Sequence, residues 1–294
     1  MSKAYNFGDC HIHMILDGED FKKAISIHRD NGPVDTIIRR NLEKYKNCGI
    51  DFLRDGGDSN NVCNRSKALA SEYGIEYLTP GFPIHKKGHY GGFIGRSFSD
   101  MTEYRSLVKE AGNLGADFIK IMISGIMDFD HYGVLVGGEL TESEIKEMIH
   151  IAHDEGFAVM AHCNGANNIK AALEAEVDSI EHGAYMDGEC VEMMAQSDTI
   201  WVPTVSPIAN LIGENLYNDN VLKEIVKLHI TNINKVWSLG GIIALGTDAG
   251  AHSVPHAESV AREYNYLKSA IDDPELDAYL SMSKQQVQWR FKKK

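Results

Sequence analysis

The sequence predicts one α/β domain folded as a (β/α)8 TIM-like barrel, and three observations carry that expectation. Eight short strand-like runs recur along the chain, near residues 4–12, 49–55, 75–80, 117–124, 157–163, 176–182, 199–206 and 241–248, mostly with helical patterns between them. Such alternation is what a parallel sheet with crossover helices requires. At 294 residues with 43% hydrophobic content, the chain can bury one large core, and barrels of this kind commonly run to about 250 residues. No Ser/Pro-rich spacer, charge block or low-complexity tract interrupts it, so 1–294 reads as a single domain, with barrel strands over about 4–248 and a helical segment over 251–294. Closure into a barrel is the economical arrangement, although pattern alone also admits an open doubly wound sheet.

Taken in order, the runs end in residues that carry chemistry. The first closes on Asp9-Cys10-His11-Ile12-His13. Side chains two apart on a strand face the same way, so His11 and His13 lie side by side at the strand's end, placed to share one metal ion. Cys10 alternates away from them and reads as packing. After the third run, residues 81–97 read as a long loop that offers His89, Tyr90 and Arg96 as substrate contacts at the open face.

The fourth run, Ala116 to Ile123, holds Lys120 in its middle, where an ammonium facing an apolar barrel is costly unless paired or neutralised. Beside two cations its neutral amine is favoured, which admits a carbamate formed with carbon dioxide whose oxygens could bridge them. His131 and Tyr132 follow as further loop contacts. Thr141-Glu142-Ser143-Glu144 has the form of a capping box opening a helix that Gly156 ends.

The fifth run closes on His162 and the sixth on His182, and imidazole is the commonest ligand for zinc and similar ions. The last run leads into Gly246-Thr247-Asp248-Ala249-Gly250. A carboxylate there can bind one metal and also exchange a proton with a water. His252 and His256, just beyond, are a third set of loop candidates.

The bulk composition narrows the classes. A net charge of −13 argues against a nucleic-acid partner, since only Arg290 to Lys294 form a basic stretch. Five cysteines without a C-x-x-C pair indicate neither a disulfide framework nor a thiolate zinc site, and fit a reducing cytoplasm. With no leader and no apolar run near 18 residues, neither export nor membrane insertion is expected.

The chain resembles the amidohydrolase superfamily, specifically its imidazolonepropionase-like and Xaa-Pro dipeptidase (prolidase-like) branch with a carboxylated lysine. The likeness rests on His11-Ile12-His13, Leu53-Arg54-Asp55-Gly56-Gly57, Ala116 to Met122, Ala161-His162-Cys163-Asn164-Gly165, Ser179-Ile180-Glu181-His182-Gly183, Val202-Pro203-Thr204 and Gly246 to Gly250, in order over roughly residues 5–260. The resemblance implies that His11, His13 and Asp248 hold one metal and His162 and His182 the other, bridged by carboxylated Lys120, with Asp248 shuttling the proton. The expected cofactors are two divalent ions, zinc first, and the carbon dioxide-derived carbamate on Lys120.

The implied activity is hydrolysis of a C–N amide bond by metal-bound hydroxide, in a dipeptide, N-acyl amino acid or cyclic amide. A lactonase or phosphotriesterase-like ester hydrolase uses the same metals, and a catalytically silent metal-binding protein is the reading from another class. The chain departs from the family in starting at its first barrel strand, so the usual small β-sandwich is expected to be absent. Homo-oligomerisation could cover surface left exposed near 251–294.

Overall fold

The computed structural model describes residues 7–293, so the predicted strand stretch at 4–6 lies outside the described residues. The strands are β1 (Asp9–Ile12), β2 (Phe52–Asp55), β3 (Glu76–Leu78), β4 (Pro83–Lys86), β5 (Arg96–Phe98), β6 (Ile119–Met122), β7 (Ile126–Met127), β8 (Leu135–Val136), β9 (Val159–Cys163), β10 (Ser179–His182), β11 (Ile200–Val202) and β12 (Ile242–Ile243). The helices are α1 (Phe21–Asn31), α2 (Asp35–Asn47), α3 (Val62–Ala70), α4 (Met101–Asn113), α5 (Glu142–Asp154), α6 (Ala166–Glu174), α7 (Gly188–Gln196), α8 (Ser206–Ala209), α9 (Asp219–Ser238), α10 (Glu258–Ala270) and α11 (Leu276–Phe291). Each of the eight predicted runs contains a strand.

Two parallel sheets, β1-β2-β3 and β12-β11-β10-β9-β6-β4-β5, share the barrel between them. The third predicted run supplies the break: β3 pairs with β2, the chain turns through Pro80 and Gly81 (φ 74°), and β4 pairs with β6. Residues 81–97 are thus not one loop; they contain β4 and the start of β5, which pair with each other. Across that seam Asp117 N donates to Thr79 O (2.9 Å). Across the other, Cys10 N donates to Leu245 O (2.9 Å), Asp248 N to His11 O (2.7 Å) and His13 N to Ala249 O (2.8 Å). The fold is an α/β barrel of the TIM type, with helices outside.

The pleat sorts the side chains. Ile119, Ile121 and Ile123 pack outward into the core shared with helix residues such as Tyr104, Val108, Met148 and Ile149. Phe118 faces a second apolar layer with Cys10, Phe52, Leu78, Met160, Ile200, Val202 and Ala244, completed by Val287 and Phe291 of α11. Val287 and Phe291, near the end of α11, therefore plug the barrel at the amino ends of its strands. Cys10 is packing, as its alternation predicts.

Thr141 caps α5 as expected: Glu144 N donates to Thr141 Oγ1 (3.3 Å) and Thr141 N to Glu144 Oε2 (3.0 Å), and Gly156 follows with φ 78°. Among the described residues no helix is long and apolar enough to cross a membrane, and all five cysteines are free thiols.

Candidate metal centre

His11, His13, Lys120, His162, His182 and Asp248 all line one cavity of 740 Å3 at the carboxyl ends of the strands. A larger cavity, 1030 Å3, opens at the opposite end beside Phe157, Asp178 and Arg290 and contains none of the six. Size does not locate the chemistry here; the donor atoms do.

β1 delivers His11 and His13 together, as the period of two requires. Asp248 Oδ1 stands 3.5 Å from His11 Nε2 and 3.5 Å from His13 Nε2, and one ligand atom from each residue falls within 4.8 Å of the others. The second pair is adjacent, with His162 and His182 ring centroids 4.6 Å apart and His182 5.0 Å from His11. Three buried atoms in this cluster have no hydrogen-bond partner: His11 Nε2, His13 Nδ1 and Lys120 Nζ. Buried polar atoms are seldom left so, and nitrogen and oxygen donors without thiolate suit divalent ions such as zinc. The His11, His13 and Asp248 donors fit such an ion.

Three other ring nitrogens of the cluster are engaged. Glu181 Oε2 lies 2.7 Å from His11 Nδ1, and the same carboxylate receives Arg54 Nη2 (2.8 Å) and Ser179 Oγ (2.5 Å) through Oε1. Arg54 also donates to Cys10 O (2.7 Å) and lies 4.3 Å from the Phe291 ring centre. A carboxylate behind an imidazole sets its tautomer and orientation, leaving the other nitrogen for a metal. His182 Nδ1 is 2.6 Å from Thr204 Oγ1, and His162 Nε2 is 3.1 Å from Gly125 O. Glycine lets the backbone close around the donors: a Cβ on Gly56 would stand 2.3 Å from His13 Cε1, and one on Gly246 would stand 2.9 Å from His11 N.

Three non-glycine residues at consecutive strand ends take left-handed backbone: His182 (φ 66°), Thr204 (φ 48°) and Asp248 (φ 57°). For a β-branched threonine this is a true outlier, and strain of about 1–3 kcal/mol persists only where neighbours enforce it. Asp9 is the enforcer at Asp248. Its carboxylate receives Thr247 N (2.8 Å) and Thr247 Oγ1 (2.7 Å), while Ala249 N donates to Thr247 Oγ1 (3.0 Å).

Burial dominates the electrostatics. It draws the Lys120 amine down to about 8, opposed by the Glu181 and Asp248 charges, so a reactive neutral fraction exists near neutral pH. It holds His13 and His162 down at about 3, and His11 and His182 well below the usual imidazole range, keeping four nitrogens unprotonated for coordination. Asp248 is pushed up to about 7 by burial, with Lys120 pulling the other way.

Of the loop residues put forward for substrate, Tyr90 lines the cavity, its ring 5.0 Å from that of His162, and His252 also lines it. Arg96 does not: it pairs with Glu110 (2.5 Å) and stacks on Phe82 (4.0 Å). His89 packs against Gly138, His131 turns to solvent beside Asp128 (3.0 Å), Tyr132 sits edge-on to Tyr185, and His256 is buried against Tyr45 and Leu16 O. The sequence motifs gave no role to Glu181, Arg54, Thr204 or Asp9, although all four lie inside them.

The molecule is thus a parallel barrel whose nitrogen and oxygen donors converge on one cavity at the carboxyl ends of its strands, with a His-His-Asp group that could hold a divalent ion. The chain belongs to the amidohydrolase family, whose profile matches residues 7–283. It is 31% identical to ochratoxinase from Aspergillus niger over 154 residues, 50% of this chain and 32% of that protein, and so spans about a third of the length of the curated relatives it matches. Its fold is similar to that of a Xaa-Pro dipeptidase with bound methionine in the active site (TM-score 0.76, 22% identity, covering 96% of this chain and 75% of that one). The crystal structure of A. niger ochratoxinase is also similar (TM-score 0.78, 21% identity, 96% and 71%).

Proposed function

We propose that the protein is a metal-dependent hydrolase that cleaves a carbon–nitrogen amide bond in a small molecule, converting R–CO–NH–R′ and water to a carboxylate and an amine. The observation that carries this reading is the convergence of six donors from β1, β6, β9, β10 and the turn after β12 on one cavity, with three buried atoms left unpartnered. Family membership and the fold shared with a dipeptidase support the amide as the bond broken.

His11, His13 and Asp248 would hold one divalent ion, and His162 and His182 the other. Lys120, as its carbamate, would bridge them. When bound, the divalent ions, with zinc as the default choice, supply Lewis acidity toward the carbonyl and lower the pKa of water. The chain's own residues do the rest. Glu181 keeps His11 in one tautomer. Asp248, standing beside the donors, takes a proton from the attacking water and returns it to the leaving nitrogen.

Elemental analysis of chelator-free protein tests this together with turnover. Two ions per chain and hydrolysis of N-acyl amino acids or dipeptides are expected. No ion after reconstitution with zinc and bicarbonate would sink the reading. Asp248→Asn should retain metal yet lose turnover by about 10²–10⁴-fold; near-normal activity in that variant removes Asp248 as the proton carrier.

A further inference from the structure

Beside the metal centre the cavity has a side chamber of 170 Å3 that reaches His162, His182 and Asp248 directly. Its wall is apolar, built by Ile126, Met127 and Phe129 after β6 and by Pro207, Ile208 and Leu211 from α8 and the turn that follows it. Met127, Ile208 and Leu211, with Phe129 packed against them, belong to a small cluster of their own with Leu222 and Ile225 of α9, so most of the wall is firm. Among the described residues no lysine, arginine or glutamate lines the chamber. His252, the one further histidine there, is turned to Glu19 O (3.0 Å) and Glu214 (3.3 Å).

The outer cavity continues the same character. Phe21, Phe93, Leu216 and Tyr217 stand at its mouth, 44%, 36%, 54% and 42% exposed, and Phe21 and Phe93 meet edge to face at 5.7 Å. Large apolar side chains left in solvent around a concave polar centre mark a ligand site. Against that apolar wall, away from Asp248 and the two histidines at the chamber's inner end, a charged group would lose its hydration with no opposite charge to meet it, whereas an apolar group would leave water at no such cost.

We propose that the substrate carries an uncharged aromatic or branched aliphatic group next to its scissile amide, and that this group seats in the side chamber while the mouth aromatics close over the remainder. The proposal rests on the hydrolase reading above and names its substrate class. Phe129, whose ring meets Tyr217 at 5.1 Å, and Leu211 are its specificity-determining residues.

The test uses zinc-reconstituted full chain and four probes that share one amide: N-acetyl-L-phenylalanine, N-acetyl-L-leucine, N-acetyl-L-aspartate and N-acetyl-L-lysine. A kcat/KM at least about tenfold higher for the first two is expected, the size of discrimination an apolar pocket delivers. Phe129→Ala should remove most of that preference, and Leu211→Arg should move it toward the aspartate derivative. Should Leu211→Arg fail to fold, Phe129→Ala carries the test alone. Equal turnover of apolar and charged probes overturns the chamber while leaving the hydrolase intact. If none of the four is cleaved, the amidase reading fails for this class and the chamber is judged by calorimetric binding of the phenylalanine and aspartate probes. Tighter binding of the former by about tenfold, weakened in Phe129→Ala, upholds it, and equal affinities overturn it.

Discussion

At the level of single residues, six side chains were legible because a strand's period of two and the ends of apolar runs mark where a barrel presents its ligands. Their supports were not. Alternation alone puts Glu181 and His182 on opposite faces, yet His182 lines the cavity while Glu181 reaches His11, because His182 takes φ 66° and turns the chain. Glu181's partner His11 is 170 residues away, a distance no local pattern encodes. Thr204 likewise looked like the end of a strand, and its strained backbone is explained only by the 2.6 Å contact to His182. Thr204→Val keeps the branching and loses the hydroxyl, so zinc affinity should fall by about 10–100-fold, with Thr204→Ser restoring it. Chelator competition measures both, and a Val variant binding as tightly as the parent would show that the hydroxyl does not orient His182.

At the level of elements, strand positions were readable because each apolar run is bounded by turn residues, and α5 because its cap is local. The split of the third strand was not readable: Pro80 and Gly81 signal a turn, but whether the chain then resumes pairing depends on β6, some forty positions on. The link from α10 to the end of β11 is equally non-local. Glu263 accepts from Val205 N (2.8 Å), Ser206 N (2.8 Å) and Ser206 Oγ (2.6 Å), and burial nonetheless raises it from 4.5 to about 7. A folded pKa above the unfolded one means the native state binds more protons between those values, so this group's contribution is full below about 4.5 and is lost as pH rises through about 7. Glu263→Gln should flatten the pH dependence of stability over that window, read from urea midpoints at several pH values. An unchanged slope would place the titration elsewhere.

At the level of the whole molecule, the two ends of the barrel are joined through its axis. Phe291 of α11, fully buried, lies under Arg54, which holds Glu181, which holds His11. Phe291→Ala should cost about 3–5 kcal/mol of stability as a core aromatic truncation and should also loosen zinc binding, since Arg54 loses the ring it rests on. Denaturation and chelator competition separate the two effects, and intact affinity in a destabilised variant would mean that the plug is only structural.

The seam between β1 and the turn after β12 adds a consequence in time. Thr247 reaches Asp9 across 238 residues of chain, so the backbone bonds that aim Asp248 at His11 and His13 cannot form until nearly the whole barrel has been threaded. Contacts of such sequence separation come late in folding, because their closure entropy is met only once the intervening structure is in place. A divalent ion that needs both sides of the seam therefore meets no complete site on a partly folded chain. Under the proposed function, such an ion would bind the finished barrel and add to its stability by mass action, so ion supply would set how stable the native state is rather than how fast it is reached.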